Sequence, residues 1–410
     1  LITFSLNVAP RIAYRKNASW DVFRNAVEAN PTTPIMDPKD PSLYYNFKGQ
    51  AAGYNPLELL KKDKSTGTTK LLDWDGTVKL NLLPLLLNKE DRQTLTTQLT
   101  FADHQYDNYN QWFRPSTSTL AINAGREGEA SQDYSKSAIR TLEWVTNYAN
   151  SFGNHNFKVM AGYSYQYEQY SGLNAANKDF PNDALEDNNL GSGTYAKDEG
   201  ELGMGSYKND SKLISFFGRV SYDWKGRYML TASLRHEGSS KFGEHHKWGN
   251  FPAISAGWRI SDEAFMAGTK SWLTDLKLRG DFGITGNQSF DSYRSLNTMS
   301  GFGYYLYNGK YYQVWGPGKN VNPDLRWEKG QNWNVGLDWT LFGGDLYGSF
   351  NYYSRKQQDL LGDYNVSVPP YLFTSTFVNV GTMRNSGFEF DLTWNAVKTK
   401  DFTYTINVIG

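Results

Sequence analysis

Cysteine is absent from this chain, which excludes a disulfide framework, a thiolate zinc site and a dithiol redox motif. Histidine is scarce, with five residues: His104, His155, His236, His245 and His246. No apolar run reaches the length of about 18 residues that a membrane helix needs. The most apolar stretch, Leu80 to Leu87, is short and broken by Pro84. Charge of one sign is also missing, since 42 Lys and Arg balance 42 Asp and Glu. No basic footprint for nucleic acid results, and no nucleic-acid partner is expected.

What is present is period two. In Lys212 to Arg235, Ile214, Phe216, Gly218, Val220, Tyr222 and Trp224 fall on one strand face, and Leu213, Ser215, Phe217, Arg219, Ser221 and Asp223 on the other. After a turn at Lys225-Gly226 the alternation resumes with Tyr228, Leu230, Ala232 and Leu234. Two strands of about 11 residues suit a tilted bilayer crossing, which takes about 9 to 11. The mean hydropathy of −0.62 does not argue against this, because a transmembrane barrel shows its apolar face only in every second residue.

The same reading along the chain gives roughly 13 strands. Residues 1 to 9 form the first, and a long excursion to about Asp75 follows, in which Ser19 caps a short helix from Trp20 to Ala29 that Asn30-Pro31 ends. Strands are expected at Gly76 to Leu83 and Gln93 to Ala102, then an aromatic loop from Asp103 to about Ser137. Ala138 to Ala149 pairs with Phe157 to Glu168. A Gly- and Asn-rich loop covers about Tyr170 to Asp210, and another spans Gly238 to Asn250. Strands at Phe251 to Ser261 and Leu273 to Thr285 lead to a loop from Gly286 to about Arg326. The last strands include Trp333 to Leu341, Leu346 to Tyr353, Gly387 to Trp394 and Phe402 to Gly410. Connections alternate between short and long, the pattern of an outer-membrane barrel with short periplasmic turns and long extracellular loops. A soluble sandwich has no reason to sort its loops by length.

Aromatic residues make up 16% of the chain, with 28 Tyr and 13 Trp. Tyr148, Trp224, Tyr228, Trp339 and Trp394 stand beside short turns on the apolar face, where a membrane-interface girdle lies. Tyr304, Tyr305, Tyr307, Tyr311, Tyr312 and Trp315 crowd one long loop. Of these, Tyr304, Tyr305, Tyr311, Tyr312 and Trp315 are the ligand-binding candidates, since rigid rings stack on sugar faces and peptide side chains at little entropic cost. Arg219, Arg235, Lys277, Arg279, Asp281, Asp338, Glu389 and Asp391 point to the other face; they invite a substrate-pathway reading, but are read as contacting a plug or lining a wet lumen, since a polar interior is the default of such a barrel. The acidic stretch Asp179 to Asp187 is read as solvated, with contact to a partner or a divalent ion as the alternative. Glu244-His245-His246 lacks zincin spacing, and no nucleophile elbow or phosphate loop occurs. No cofactor, metal site or enzymatic activity is expected, although an outer-membrane lipase or protease is the rival class to weigh.

Several stretches resemble the SusC/RagA-type TonB-dependent outer-membrane transporters of the Bacteroidota. They are FPAISAGWRISDEAFM (Phe251 to Met266), LTDLKLRGDFGITGNQ (Leu273 to Gln288), NPDLRWEKGQNWNVGLDW (Asn322 to Trp339) and NVGTMRNSGFEFDLTW (Asn379 to Trp394). ANPTTPIMD (Ala29 to Asp37) and GYNPLELL (Gly53 to Leu60) are similar to family segments as well. The resemblance implies an all-β, antiparallel transmembrane barrel of about 22 strands with a plugged lumen. Residues 1–410 would form part of that single barrel domain, with the N-terminal plug and the C-terminal strands outside the fragment. It also implies an integral protein of a Gram-negative outer membrane, in contact with its lipid, importing oligosaccharides or peptides. The implied partners are a SusD-like surface lipoprotein and the TonB–ExbB–ExbD energy-coupling complex, the latter reached through the missing N-terminal part. A passive porin or adhesin barrel is the alternative.

Overall fold

The computed structural model describes residues 1–18, 20–86, 93–198 and 203–410. The strands are β1 (Ile2–Lys16), β2 (Lys64–Asn81), β3 (Gln93–Arg114), β4 (Glu129–Phe152), β5 (His155–Lys178), β6 (Met204–Trp224), β7 (Tyr228–Ser239), β8 (Trp248–Arg259) and β9 (Leu273–Asn287). They continue with β10 (Met299–Tyr307), β11 (Lys310–Pro317), β12 (Glu328–Leu341), β13 (Leu346–Gln358), β14 (Leu361–Asn365), β15 (Ser375–Asn379), β16 (Thr382–Lys398) and β17 (Thr403–Ile409). Thirteen of them make one sheet whose order follows the chain, and β10-β11 and β14-β15 form two separate hairpins. Each neighbouring pair in the large sheet is antiparallel.

The two faces of this sheet invert the rule of a soluble protein. Apolar side chains are the exposed ones: Phe216 is 51% exposed, Val335 51% and Phe390 44%. Leu337 is half-buried on the same face. Among the described residues no second sheet covers them, and their contacts are lateral, as between Tyr163 and Phe216 at 5.2 Å or Phe282 and Trp333 at 4.3 Å. The opposite face is polar and internally bonded. Thr77 and Thr100 share a hydrogen bond of 3.0 Å, and the Arg279 guanidinium donates to Asp338 at 3.0 Å. Gly336 pairs with Arg279 in register, and a Cβ there would come within 2.7 Å of the Arg279 guanidinium carbon.

Register shows that the strands tilt. The hydrogen-bonded row that leaves the end of β6 at Trp224 runs through Tyr228, Trp258, Leu278, Leu337, Phe350 and Phe390. Trp224 stands beside a turn, while Phe390 lies in mid-strand. A row that climbs in this way is the shear of a barrel wall. The Lys225-Gly226 turn closes tightly because both residues take left-handed φ, 56° and 67°, and the Asp223 side chain accepts from the Gly226 amide at 3.1 Å.

Several strands outrun the sequence expectation. β2 begins at Lys64, not near Gly76, and β3 and β4 absorb most of the region read as an aromatic loop from Asp103 to Ser137. β5 and β6 likewise shorten the loop read as Tyr170 to Asp210. β8 opens at Trp248, inside the loop expected from Gly238 to Asn250, and β1 runs on to Lys16. The reason is physical: beyond the apolar band no single face is selected for lipid, so Gln105 to Arg114 scatters its rings, Tyr106, Tyr109, Trp112 and Phe113, over both faces among polar residues and the period-two signal is lost. Loop lengths sort as expected except against the brief β7–β8 loop, which the β2–β3 connection on the short-turn side exceeds. The connection after β8 on the short-turn side, with two 3₁₀ turns at Ile260–Asp262 and Ala264–Thr269, is longer than the β7–β8 loop opposite. Helix α1 spans Trp20–Glu28, and the cap expected at Ser19 lies outside the described residues, as does most of the turn before β3.

Candidate functional site

The long connections do not float. Phe242 of the β7–β8 loop, Phe251 of β8, and Leu325 and Trp327 ahead of β12 form a core whose members are between 0% and 7% exposed. Phe290 and Phe377 from two further connections pack on it, with ring centroids 5.3 Å apart. Trp327 Nε1 donates to the Lys247 carbonyl at 2.9 Å, and the Gly243 amide to the Leu325 carbonyl at 2.9 Å. Gly243 is required by proximity, since a Cβ there would fall 1.7 Å from the Pro323 oxygen. Asparagines then staple neighbouring connections together. Asn320 Nδ2 donates to the Phe373 and Ser375 carbonyls at 2.7 and 2.8 Å, Asn379 Nδ2 to Arg326 and Asp359, and the Arg326 guanidinium to Asp359 at 2.7 Å. The NPDLRWE segment is therefore a structural clasp at the loop end.

From this base projects the hairpin β10-β11, where the sequence suggested an irregular loop. Pairing Tyr305 with Tyr312 and Leu306 with Tyr311 distributes the candidate rings over two faces. Tyr304, Tyr311 and Trp315 share one face, Tyr305 and Tyr312 the other with Tyr307, whose ring stacks 6.4 Å from Tyr305. All five candidates are more than half exposed. The five thus form two opposed aromatic surfaces. At the arm's foot, the Tyr293 hydroxyl donates to Asp210, which holds its proton above the usual phenol range, and burial pushes the Lys319 ammonium below the usual lysine range.

A second cluster ties the ends of β3, β4 and β5 to the first connection. Arg114 donates twice to Asp63, at 2.7 and 3.1 Å, and once to Glu129 at 3.1 Å, and Lys178 lies 3.6 Å from Glu129. Burial raises the Asp63 pKa, and the hydrogen bond from Arg114 opposes that shift. Helix α2 (Pro56–Lys62), capped by Asn55, presents buried Glu58 to the Thr119 amide at 2.9 Å. The acidic stretch read as solvated is largely bonded. Asp179 accepts from Arg126, Asp183 from the Ser116 amide and hydroxyl, and Asp187 from Gln111 and Gln132. No group of three metal-ligating side chains occurs among the described residues, and His246 meets only Asp324, at 3.8 Å.

At the opposite end the predicted interface aromatics flank the turns. Trp224 stacks on Tyr228 at 5.5 Å, and Tyr228 on Trp258 at 6.4 Å. Tyr148 takes a hydrogen bond from Asn150 at 3.1 Å, and Trp394 pairs in register with Leu346. Trp339 packs over Gly348, where a Cβ would meet its ring at 3.0 Å. Trp258 and Glu263 were not singled out in the sequence. The Glu263 carboxylate accepts from Tyr228, from Trp258 Nε1 at 3.0 Å and from Arg227 at 3.1 Å. The Tyr228 and Trp258 hydrogen bonds, in that order, hold its pKa below the usual range. The GWRISDE segment carried part of the signal, a Trp and a Glu grouped at a strand end, while the arginine that joins them, Arg227, comes from the β6–β7 turn.

Residues 17–410 match the family model for the TonB dependent receptor-like β-barrel. The chain is 28% identical to TonB-dependent receptor SusC of Bacteroides thetaiotaomicron, over 93% of its own length and 38% of that protein. It is 32% identical to TonB-dependent receptor P3 of Formosa agariphila, over 72% of its length and 28% of that protein. In fold it superposes on the structure of the RagAB peptide transporter with a TM-score of 0.76 and 20% identity, covering all of this chain and 45% of that one. A sheet with an apolar outer face, a sheared register and sorted ends defines an outer-membrane β-barrel wall. The chain belongs to the TonB-dependent receptor β-barrel family and is of the SusC/RagA type. It spans less than half the length of these relatives.

Proposed function

We propose that this chain is the wall of an active importer in a Gram-negative outer membrane of the Bacteroidota, carrying oligosaccharides or peptides. The observation that carries the reading is family membership, together with a long-loop end built as an organised platform rather than as separate loops. A SusD-like lipoprotein would close over that platform. The β10-β11 arm, with rings on both faces, can offer one face to the partner and the other to substrate. An isolated two-stranded hairpin is marginal in water, so a partner on one face would complete it. Tyr148, Trp224, Tyr228, Trp339 and Trp394 would anchor the wall at the periplasmic interface. Energy would come from the TonB–ExbB–ExbD complex through a plug domain that belongs to the whole protein. The organisms of the curated relatives support the Bacteroidota setting, and the likeness in fold to a peptide transporter keeps peptides beside sugars as candidate cargo.

The test is labelled uptake by wild-type and deletion strains over a panel of glycans and peptides, repeated with TonB inactivated. One substrate should lose uptake under both changes. Unchanged uptake of every candidate would sink the import reading, and uptake that survives loss of TonB would favour a passive pore.

A further inference from the structure

The outer face of the wall changes character toward its long-loop end. Register sets Asp103 beside Arg140, Arg140 beside Tyr167 and Tyr167 beside Lys212, while the next row toward the short turns holds Phe101, Leu142, Tyr165 and Ile214. Both rows share the face of Phe216 and Val220 by alternation, so they stand on the lipid side, which a plug in the lumen leaves open. Lys212 stands twelve residues from Trp224 along β6, about 40 Å of strand and about 30 Å of height at a barrel tilt near 40°. The apolar band of such a barrel is about 25 Å tall. Arg140 and Lys212 therefore reach the level of the lipid headgroups in the leaflet at the long-loop end.

On that face of β2 to β6, Lys70, Lys136 and Lys208 follow one step further out, so five cations meet three carboxylates in a chain whose net charge is zero. Each carboxylate is already engaged. Asp103 accepts from Gln105 at 2.8 Å, Asp107 from the Tyr134 hydroxyl at 3.1 Å, and Asp210 from Tyr293. Asp103 is 7% exposed and lies 3.8 Å from Arg140 Nε, whereas Arg140 and Lys212 are both exposed. Among the described residues neither the Arg140 guanidinium nor the Lys212 ammonium donates a hydrogen bond, and Lys212 has no ion-pair partner. Phe101, Arg140, Leu142, Tyr165, Tyr167 and Lys212 line one cavity of about 480 Å³. The Tyr167 hydroxyl accepts from Gln169 at 2.9 Å, which leaves its proton free to donate.

We infer that Arg140 and Lys212 form a site for a lipid whose headgroup carries a phosphate monoester. Its oxygens accept from the guanidinium fork, the ammonium and the Tyr167 hydroxyl, while an acyl chain descends over Phe101 and Leu142 into the apolar band. That apolar floor selects a lipid over free phosphate. The excess of cations selects an anionic headgroup over a zwitterionic one, which carries its own cation. The site goes beyond the import reading and needs only the membrane setting, so binding and uptake can fail separately.

The test uses the full-length protein, delipidated in detergent and titrated with monophosphoryl lipid A, with dephosphorylated lipid A and inorganic phosphate as comparators, read by native mass spectrometry. The phosphorylated lipid should bind about tenfold or more tighter than the dephosphorylated one. Arg140→Gln and Lys212→Gln should each raise its Kd about fivefold, and Lys158→Gln, on the lumen face of β5, should leave it unchanged. Unaltered heat-modifiable mobility checks that the variants fold. Equal binding of the two lipids, unchanged Kd in both Arg140→Gln and Lys212→Gln, or an equal loss in Lys158→Gln overturns the site. So does full displacement of the lipid by millimolar inorganic phosphate, or a dimer of the protein that excludes the lipid from this face.

Discussion

Trp327 and Trp333 stand a few residues apart at the start of β12, and their surroundings are opposite. Trp327 is 2% exposed in a core of aromatic side chains contributed by four connections and strands, while Trp333 is 55% exposed on the outside of the wall. One residue type thus serves two solvents within a few residues of chain. At the loop end water drives rings together into a core. In the band the solvent is lipid, and an apolar ring needs no cover.

The largest effect should come from breaking the loop core. Trp327→Ala removes a buried ring and its bond to Lys247, and should destabilise the loop end by about 3–5 kcal/mol. Limited proteolysis should then cut the long connections while the barrel keeps its heat-modifiable migration. Trp333→Ala should leave the connections protected, and equal cleavage in both variants would erase the contrast. Of similar size is Arg114→Leu, which strands Asp63 without its cation and leaves Glu129 with Lys178 alone, at a cost of about 3–5 kcal/mol. Hydrogen exchange at the ends of β3, β4 and β5 should rise in that variant.

A smaller effect sharpens the comparison at the other end. Glu263 ionises more readily folded than unfolded, so below the usual Glu range the unfolded chain binds more protons and stability falls. Melting temperature in bilayers should therefore drop as pH falls through the depressed pKa, and Glu263→Gln should flatten that drop. Smallest of all, Tyr305→Ala and Tyr311→Ala should each change stability by less than about 0.5 kcal/mol. Each should impair only one of two readouts, partner capture or substrate affinity, if the arm's two faces divide the work. Loss of both readouts from either variant would argue for one shared surface.

How much was legible follows the same division. Ile214 to Leu234 declares its two faces because lipid and lumen select different residues. Tyr106, Tyr109 and Trp112 lie where both faces are wet, so the upper half of β3 gave no period. Tyr304 and Tyr305 put rings on both sides of the β10-β11 arm, which reads as an irregular aromatic loop. Phe242 lies far in sequence from Leu325 and Trp327, and only the register of the wall brings it to them.

The most direct measurement is a depth profile of arginine substitutions through Ile214, Phe216, Val220, Tyr222 and Trp224, with Ser215, Phe217 and Ser221 as the opposite face. Unfolding free energies in lipid bilayers should show a cost of about 2–4 kcal/mol near the middle of the first set, falling to about 0–1 near its ends. The second set should show no dependence on depth. A flat profile in the first set, or the same peak on both faces, would contradict a wall that meets lipid on one side and water on the other.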